Sequence, residues 1–221
     1  MSGLRELKKE RTRRRIAAVA LRLFAERGFE AVTVNEIAEA AEVAKVTLFK
    51  YFPTKEALVL HGVGEEDLAG IVAARGPGRT PLEALREHYR ASAAEPVADA
   101  EALVAQLQVI FASPALSDAA NNLLYGQRQA LARVLANEPG EAGEPGEKGE
   151  LGGPEKGRRD LVAALTAAQI TASMLTVQEA YFCDLVEGVT PQEAARRLGE
   201  AVELAFDLLE HGLPNRNRRE G

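Results

Sequence analysis

Side chains suited to contacting a nucleic acid lie close together between residues 45 and 50. Lys45 can donate hydrogen bonds to the acceptor atoms of guanine, and Val46 and the methyl group of Thr47 can contact the C5-methyl group of thymine. Lys50 could reach a base or a phosphate, although an ordinary solvated charge is the alternative. Chemistry of this kind requires an element that holds these side chains in a groove of the duplex.

A second basic group precedes this stretch. Residues 5–15 contain seven lysines and arginines, Arg13 among them, against two glutamates. Such a segment ahead of the first helix can follow a phosphate backbone or enter a minor groove. The alternative is a solvated, disordered tail.

Residues 33–52 predict two short helices joined by a tight turn. Thr33 and Glu36 have the spacing of a capping box that opens the first of them, and the second is predicted over 45–52, where Pro53 stops it. The apolar side chains of both helices fall on one common seam, where the small Ala38 and Ala41 allow a close crossing. The residues of this seam are Ile37, Ala38, Ala41, Val43 and Leu48. Phe49 and Phe52 are predicted to lie in the core.

The stretch from Arg13 to Leu58 resembles the DNA-binding region of TetR-family transcriptional regulators. The resemblance rests on an apolar first helix that ends in Phe-x-x-x-Gly-Phe and on the Thr-Val that opens the second. It continues through Thr-Leu-Phe-x-Tyr-Phe and a nearby Lys-Glu. The matching residues are Phe24, Gly28, Phe29, Thr33, Val34, Thr47, Leu48, Phe49, Tyr51, Phe52, Lys55 and Glu56. It implies a helix-turn-helix whose second helix enters the major groove.

The resemblance also assigns roles outside that helix. It implies phosphate contacts for Tyr51 and Lys55, and a further one for Thr33. Where the family usually has glycine at the turn, this chain has Glu42. If this residue is left-handed, glutamate costs about 1 kcal/mol relative to glycine.

The remaining sequence predicts helices alone, so the fold class is all-α with about nine helices. A first helix is predicted over 11–27 and a long fourth one over 54–75, where Gly62, Gly64 and Gly70 suggest a kink or compliant joint. Five more follow, over 80–94, 99–112, 115–136, 159–187 and 190–211. Thr80 and Thr190 each precede a proline and a glutamate that can close a capping box.

For the C-terminal part, the resemblance implies a helical bundle that binds an apolar small molecule and dimerises. The candidate ligand-binding residues are Tyr89, Gln106, Phe111, Tyr125 and Met174. Plain core packing is the alternative for each of them. The last two helices are expected to pair across a two-fold axis, which would place two recognition helices on a palindromic operator.

Residues 138–157 break the helical pattern. Glycine recurs at every third position from 140 to 152, with proline and glutamate between, as in collagen. A disordered acidic loop is the favoured interpretation, because this composition cannot bury a core. A triple-helical or protein-binding tract is the alternative.

Composition narrows the classes of protein. The 221 residues carry a net charge of −6, but residues 1–60 alone carry +4, and the rest is acidic. We predict a DNA-binding domain over 1–53 and a regulatory domain over 54–221. A single cysteine, scattered histidines and the absence of a phosphate loop or zinc spacing favour a non-enzyme with no cofactor and no metal. No apolar run is expected to span a membrane and no signal peptide is evident, so a cytoplasmic location is predicted.

Taken with the resemblance, these features predict a repressor that binds operator DNA as a homodimer and is released by a small apolar molecule. One alternative is a helical scaffold that uses the collagen-like tract. Another is a DNA-binding regulator without a small-molecule ligand.

Overall fold

The computed structural model describes residues 2–95, 97–138 and 154–212, and within these ranges the chain forms ten helices and no strand. This confirms the all-α class. Most of the collagen-like tract, residues 139–153, lies outside the described residues. The helices are α1 (Ser2–Arg27), α2 (Val34–Ala40), α3 (Lys45–Tyr51), α4 (Ala57–Leu60), α5 (Leu68–Ala73), α6 (Pro81–Ala93), α7 (Ala100–Ala112), α8 (Pro114–Ala136), α9 (Pro154–Val186) and α10 (Pro191–His211).

Three threonines cap helices where the sequence predicts them. Thr33 and Thr80 each form a complete capping box with the glutamate three residues later. Thr190 accepts a hydrogen bond from the backbone of Glu193, but that carboxylate binds two arginines further along the helix instead of closing the box. Local hydrogen bonding at the N-cap therefore fixes these helix starts.

The basic segment at 5–15 belongs to the first helix, so the prediction of an arm ahead of a helix that starts at residue 11 is wrong. Helix α1 begins at Ser2. Within it, the guanidinium of Arg14 donates to Glu10 at 2.8 Å, and the Thr12 hydroxyl donates to the carbonyl of Lys8 at 2.9 Å. One turn of helix separates the partners in each pair, and no proline interrupts the segment.

The predicted continuous fourth helix is also wrong, because two glycines interrupt it. Gly62 and Gly64 have φ values of +85° and +66°, which an α-helix does not allow. The chain forms α4 before them and α5 after them, and the Asp67 side chain caps α5 by accepting from the Gly70 amide at 2.8 Å. The glycine-rich connection predicted as a kink is therefore a full break.

Contacts divide the chain into two units, with boundaries after residues 65, 98 and 124. The first unit comprises Met1–Glu65 and Asp99–Leu124, so it includes α1 to α4, α7 and the start of α8. Its core gathers apolar side chains from all of these helices. The largest of the fully buried ones are Ile16, Phe24, Ile37, Leu48, Phe52, Leu58 and Leu116.

The second unit comprises Glu66–Ala98 and Tyr125–Gly221. Its core is built mainly by α5, α6, α9 and α10, with Leu131 from α8. On the surface of this unit, Arg86 and Arg90 of α6 both bind the carboxylate of Glu203 on α10. The two arginines hold the pKa of Glu203 well below its ordinary value, at about 2.

Helix α9 is apolar on two opposite faces. One face is buried in the second unit and carries Ala163, Ala167, Ile170, Met174, Val177 and Tyr181. At about 100° per residue, the exposed Leu161, Leu165, Leu175 and Val186 fall on the opposite face. By length and composition this helix could cross a membrane, contrary to the expectation that no run is long enough. A single such helix is weak evidence, since core helices of soluble proteins also meet this criterion.

Candidate nucleic-acid interface

The turn between α2 and α3 is a Schellman motif with glutamate in the left-handed position. Glu42 has a φ of +53°. Its amide donates to the carbonyl of Glu39 at 3.0 Å, and the amide of Val43 donates to that of Ala38 at 2.9 Å. These two bonds satisfy carbonyls at the end of α2. Val43 then packs against the core of the first unit, which fixes where α3 begins.

Helix α3 buries one side and exposes the other. Leu48 and, just past the helix end, Phe52 are buried in the first unit, as predicted. Phe49 was predicted to be core and is not, because 39% of its surface is exposed. The buried positions are Leu48 and Phe52, four residues apart. Phe49 directly follows Leu48, so its side chain points about 100° away from the buried seam.

The exposed side of α3 carries both lysines predicted to contact DNA. Lys45 and Lys50 are exposed, and within the described part of the chain neither amine makes a hydrogen bond or an ion pair. Val46 is 82% exposed, whereas Thr47 is half-buried. The structure therefore brings Lys45, Val46 and Lys50 together on one accessible surface.

Thr33 is occupied by the start of α2. Its hydroxyl and its amide both donate to the carboxylate of Glu36, each at 2.7 Å, and Arg27 binds the same carboxylate at 2.8 Å. The hydrogen bonds from Thr33, followed by that from Arg27, lower the pKa of Glu36 to about 2. The side chain of Thr33 thus orients α2 before any contact with DNA.

Lys55 has a role within the fold that sequence reasoning missed. Its amine donates to the carbonyl of Phe29 and lies 4.3 Å from the centre of that ring. Phe24 offers a second ring at 5.7 Å. This lysine ties the chain after α3 to the end of α1, 26 residues earlier, and no local pattern reports such a contact. Tyr51, its predicted companion, is half-buried and packs against the same core.

Arg13 faces the break after α4. Its guanidinium lies 5.5 Å from the centre of the Phe52 ring, and one nitrogen is 3.8 Å from the carboxylate of Glu65. Burial, and then the charge of Arg13, lower the pKa of the neighbouring His61. Arg13 therefore supplies positive charge close to α3's C-terminal end.

Residues 16–61, which include α2, α3 and the end of α1, match the sequence profile described as bacterial regulatory proteins, tetR family. Over these residues the chain is similar to that family. TcmR, a transcriptional regulator of Streptomyces glaucescens, is 41% identical over 91 residues, which are 40% of each chain. The transcriptional repressor KstR of Rhodococcus jostii is 41% identical over 81 residues, or 35% of this chain and 37% of KstR. The chain thus matches about two fifths of the length of these TetR-family relatives.

Among solved structures, NalD of Pseudomonas aeruginosa has a TM-score of 0.52 to this chain. The match covers 90% of this chain and 96% of NalD, which is a secondary repressor of a multidrug efflux pump. At 18% identity this likeness shows the fold alone. The likeness in fold extends beyond the residues that the family profile covers.

The five predicted ligand-binding residues do not gather in one unit. Tyr89 and Met174 are buried in the core of the second unit. Gln106 belongs to the first unit, where its side-chain amide donates to the carbonyls of Val59 and His61. Its polar group therefore anchors α7 to the end of α4.

The other two predicted ligand residues face outward. Phe111, in the first unit, is 70% exposed, and Tyr125, in the second, is 53% exposed with the Arg128 guanidinium 4.7 Å from its ring centre. A cleft of about 370 Å³ lies in the second unit, between α6 and α10. None of the five predicted residues lines it, and its polar lining is Arg90, Gln192 and Arg196.

A polar cluster around Glu66 was not found from the sequence. In the second unit, the Glu66 carboxylate binds the imidazole of His88 and accepts from the hydroxyl of Tyr89 at 2.8 Å. Its carbonyl accepts from the side chain of Gln127 at 2.7 Å. Burial, and then the charge of Glu66, raise the pKa of Tyr89. The one sequence feature that could have indicated this cluster is the pair of neighbouring polar side chains, His88 and Tyr89, on α6.

Proposed function

We propose that this protein is a transcriptional regulator, a repressor that binds a palindromic DNA operator. The observation that carries the proposal is the exposed side of α3, where Lys45 and Lys50 flank apolar residues on the second helix of a helix-turn-helix. A helix presented in this way fits the major groove, and its lysines supply donors to guanine and phosphate. The TetR-family relatives that match this domain are regulators or repressors.

The distribution of charge supports the same function. Residues 1–60 are net basic although the whole chain is net −6. A basic DNA-binding segment joined to an acidic remainder limits non-specific association with DNA and orients the basic face toward the duplex. We place such a protein in the cytoplasm and assign it no catalytic activity.

We further propose that it binds DNA as a homodimer formed by α9 and α10. Both helices leave large apolar side chains exposed on the surface of the second unit. On α10 these are Leu204 and Leu208, one turn apart, and on α9 they form the second apolar face described above. Two copies would cover these faces and present two recognition helices to two half-sites.

Sedimentation or light scattering of the purified protein tests the dimer. We expect Leu204→Glu to shift the protein to a monomer and to weaken operator binding, while Leu7→Glu, a change of the same kind on the equally exposed Leu7 of α1, leaves the mass unchanged. A wild-type monomer at micromolar concentration would contradict this part of the proposal.

The effector is proposed to be a small molecule bound within the second unit, close to Tyr89 and Met174. Both side chains lie in its core, and the Glu66 cluster offers polar groups beside them. A ligand that binds only the conformation with low DNA affinity would release the operator. Thermal-shift screening, followed by release of bound DNA, tests this step.

A mobility-shift assay against the DNA that flanks the protein's own gene tests the regulator itself. We expect a retained fragment that contains an inverted repeat, and about tenfold weaker binding for Lys45→Ala or Lys50→Ala. Lys156→Ala removes the same charge from exposed surface on α9 and serves as the matched control. If no genomic fragment is retained at low salt, the proposed function is wrong.

A further inference from the structure

The cleft between α6 and α10 is lined by basic and uncharged residues, and none of the described residues that line it is acidic. Its volume of about 370 Å³ is within the range of small-molecule sites. Arg90 lies on the wall formed by α6, and Gln192 and Arg196 lie on the wall formed by α10. Small residues form the rest of the lining, among them Ala93, Ala195 and Gly199.

Arg90 is held in place by one carboxylate and has donors left for another anion. Its Nε donates to the carboxylate of Glu203 at 2.7 Å, which orients the guanidinium. Within the described residues, its two terminal nitrogens make no hydrogen bond. These nitrogens form a planar fork that matches two oxygen atoms of a carboxylate or phosphate.

Arg196 is oriented in a similar way on the opposite wall. Its guanidinium donates to the two oxygens of Glu193 at 2.8 and 2.9 Å and also to Glu200. These three bonds use three of its five N–H groups, so two remain for a further acceptor. Gln192 lies in the first turn of α10, where the helix dipole favours negative charge. Both walls of the cleft therefore offer donors to an anion.

Gly199 keeps space in the cleft at the expense of helix propensity. It lies inside α10, where glycine is less favourable than alanine. A Cβ atom at this position would meet no atom within 4 Å, and the backbone is not left-handed. Neither close packing nor conformation requires glycine here, whereas a ligand that occupies this space does.

We propose that this cleft binds a small dicarboxylate. One guanidinium on each wall matches one carboxylate at each end of such a ligand, and the methyl groups of Ala93 and Ala195 match the methylene groups between them. The site does not include Tyr89 or Met174, beside which the effector is proposed to bind. It also does not depend on DNA binding, so its failure would leave the proposed function untouched.

Titration calorimetry of the purified protein at constant ionic strength, with succinate as the probe, tests the proposal. We expect a dissociation constant of about 0.1–1 mM, which Arg90→Gln and Arg196→Gln each raise about tenfold, because each removes charge-assisted hydrogen bonds. In Arg90→Gln the link between α6 and α10 is kept, since Arg86 still binds Glu203. Arg79→Gln removes an arginine of the same unit that lies outside the cleft, and it should bind succinate like the wild type.

A variant that fills the cleft separates space from charge. Gly199→Leu removes no charge and raises helix propensity, so the melting temperature should not fall while succinate binding is lost. Succinamide, which has nearly the same shape without charge, should not bind. Inorganic phosphate, which has no apolar part, should bind about tenfold more weakly than succinate.

Three results would overturn the proposal. The first is no heat of binding for succinate up to about 20 mM, far above the expected dissociation constant. The second is wild-type affinity in Arg90→Gln and Arg196→Gln, which would place bound succinate elsewhere. The third is equal affinity for phosphate and succinate, which would make the cleft a site for inorganic anions and contradict a dicarboxylate.

Discussion

Replacing Glu42 by glycine is expected to stabilise the first unit, because glutamate occupies a backbone conformation that favours glycine. With φ at +53°, an L-residue there costs about 1–2 kcal/mol. Glycine removes this cost but loses about 0.4–1 kcal/mol through the larger conformational freedom of its unfolded chain. The net gain in the free energy of unfolding is therefore about 0.5–1 kcal/mol.

A urea titration followed by circular dichroism at fixed protein concentration measures this gain. We expect Glu42→Gly to raise the midpoint without a change in the slope m. Glu42→Gln is the matched control, since it removes the same charge and keeps the strained backbone. It should leave the midpoint unchanged, while both variants gain affinity for DNA by losing an acidic group next to α3.

The end of α9 allows the opposite change, in which a glycine with a left-handed backbone is replaced by alanine. Gly188 has a φ of +83°. As at the end of α2, this is a Schellman motif, in which the amide of Gly188 donates to the carbonyl of Leu185 and the amide of Val189 donates to the carbonyl of Asp184. Gly188→Ala should therefore lower the free energy of unfolding by about 1 kcal/mol.

The result that would refute the reasoning about the backbone comes from the Glu42 variants. It is an equal urea midpoint for Glu42→Gly and Glu42→Gln.

Three further results are expected. Lys55→Met should lower the free energy of unfolding by about 1.5–3 kcal/mol in a denaturant titration, because it leaves the carbonyl of Phe29 without its charged donor; weaker DNA binding at unchanged stability would instead make Lys55 a phosphate ligand. In the folded protein the pKa of Glu36 is lowered from 4.5 to about 2, so its contribution to the free energy of unfolding is present above pH 4.5 and is lost as the pH falls toward 2. Glu36→Gln should therefore make the free energy of unfolding depend less on pH between 4.5 and 2. If the pH dependence is unchanged, this carboxylate is not its source. Tyr89→Phe should lower the melting temperature by a few degrees, as it removes the hydroxyl bonded to Glu66; an unchanged melting temperature would mean that this hydrogen bond contributes nothing net.

Much of this fold could be predicted from the sequence, because it depends on interactions between residues a few positions apart. Thr33, Thr80 and Thr190 each cap a helix at the predicted residue, because an N-cap depends on a hydrogen bond to a backbone amide three positions away. The seam of Leu48 and Phe52 also follows from helical spacing. The same local patterns carried the TetR-family resemblance, which the family profile confirms over residues 16–61.

Features that depend on backbone freedom or on distant contacts were not predictable. Glycine tolerates both helical and left-handed conformations, so the sequence could not show that Gly62 and Gly64 end a helix while Gly70 lies inside one. Lys55 finds its acceptor 26 residues away. A residue next to a buried seam, such as Phe49 beside Leu48, can be buried or exposed, and helical spacing alone does not decide between the two. Phe49 was therefore predicted to be buried, whereas it is exposed.

Helix α9 carries a risk during synthesis that follows from its two apolar faces. It packs mainly on α10, which leaves the ribosome afterwards. Until α10 has been made, the uncharged run from 161 to 178 lacks its main packing partner and has the composition of a membrane segment. A chain that stops after α9 should therefore aggregate or attach to lipid. The final helix thus covers an apolar face of α9 that would otherwise stay exposed.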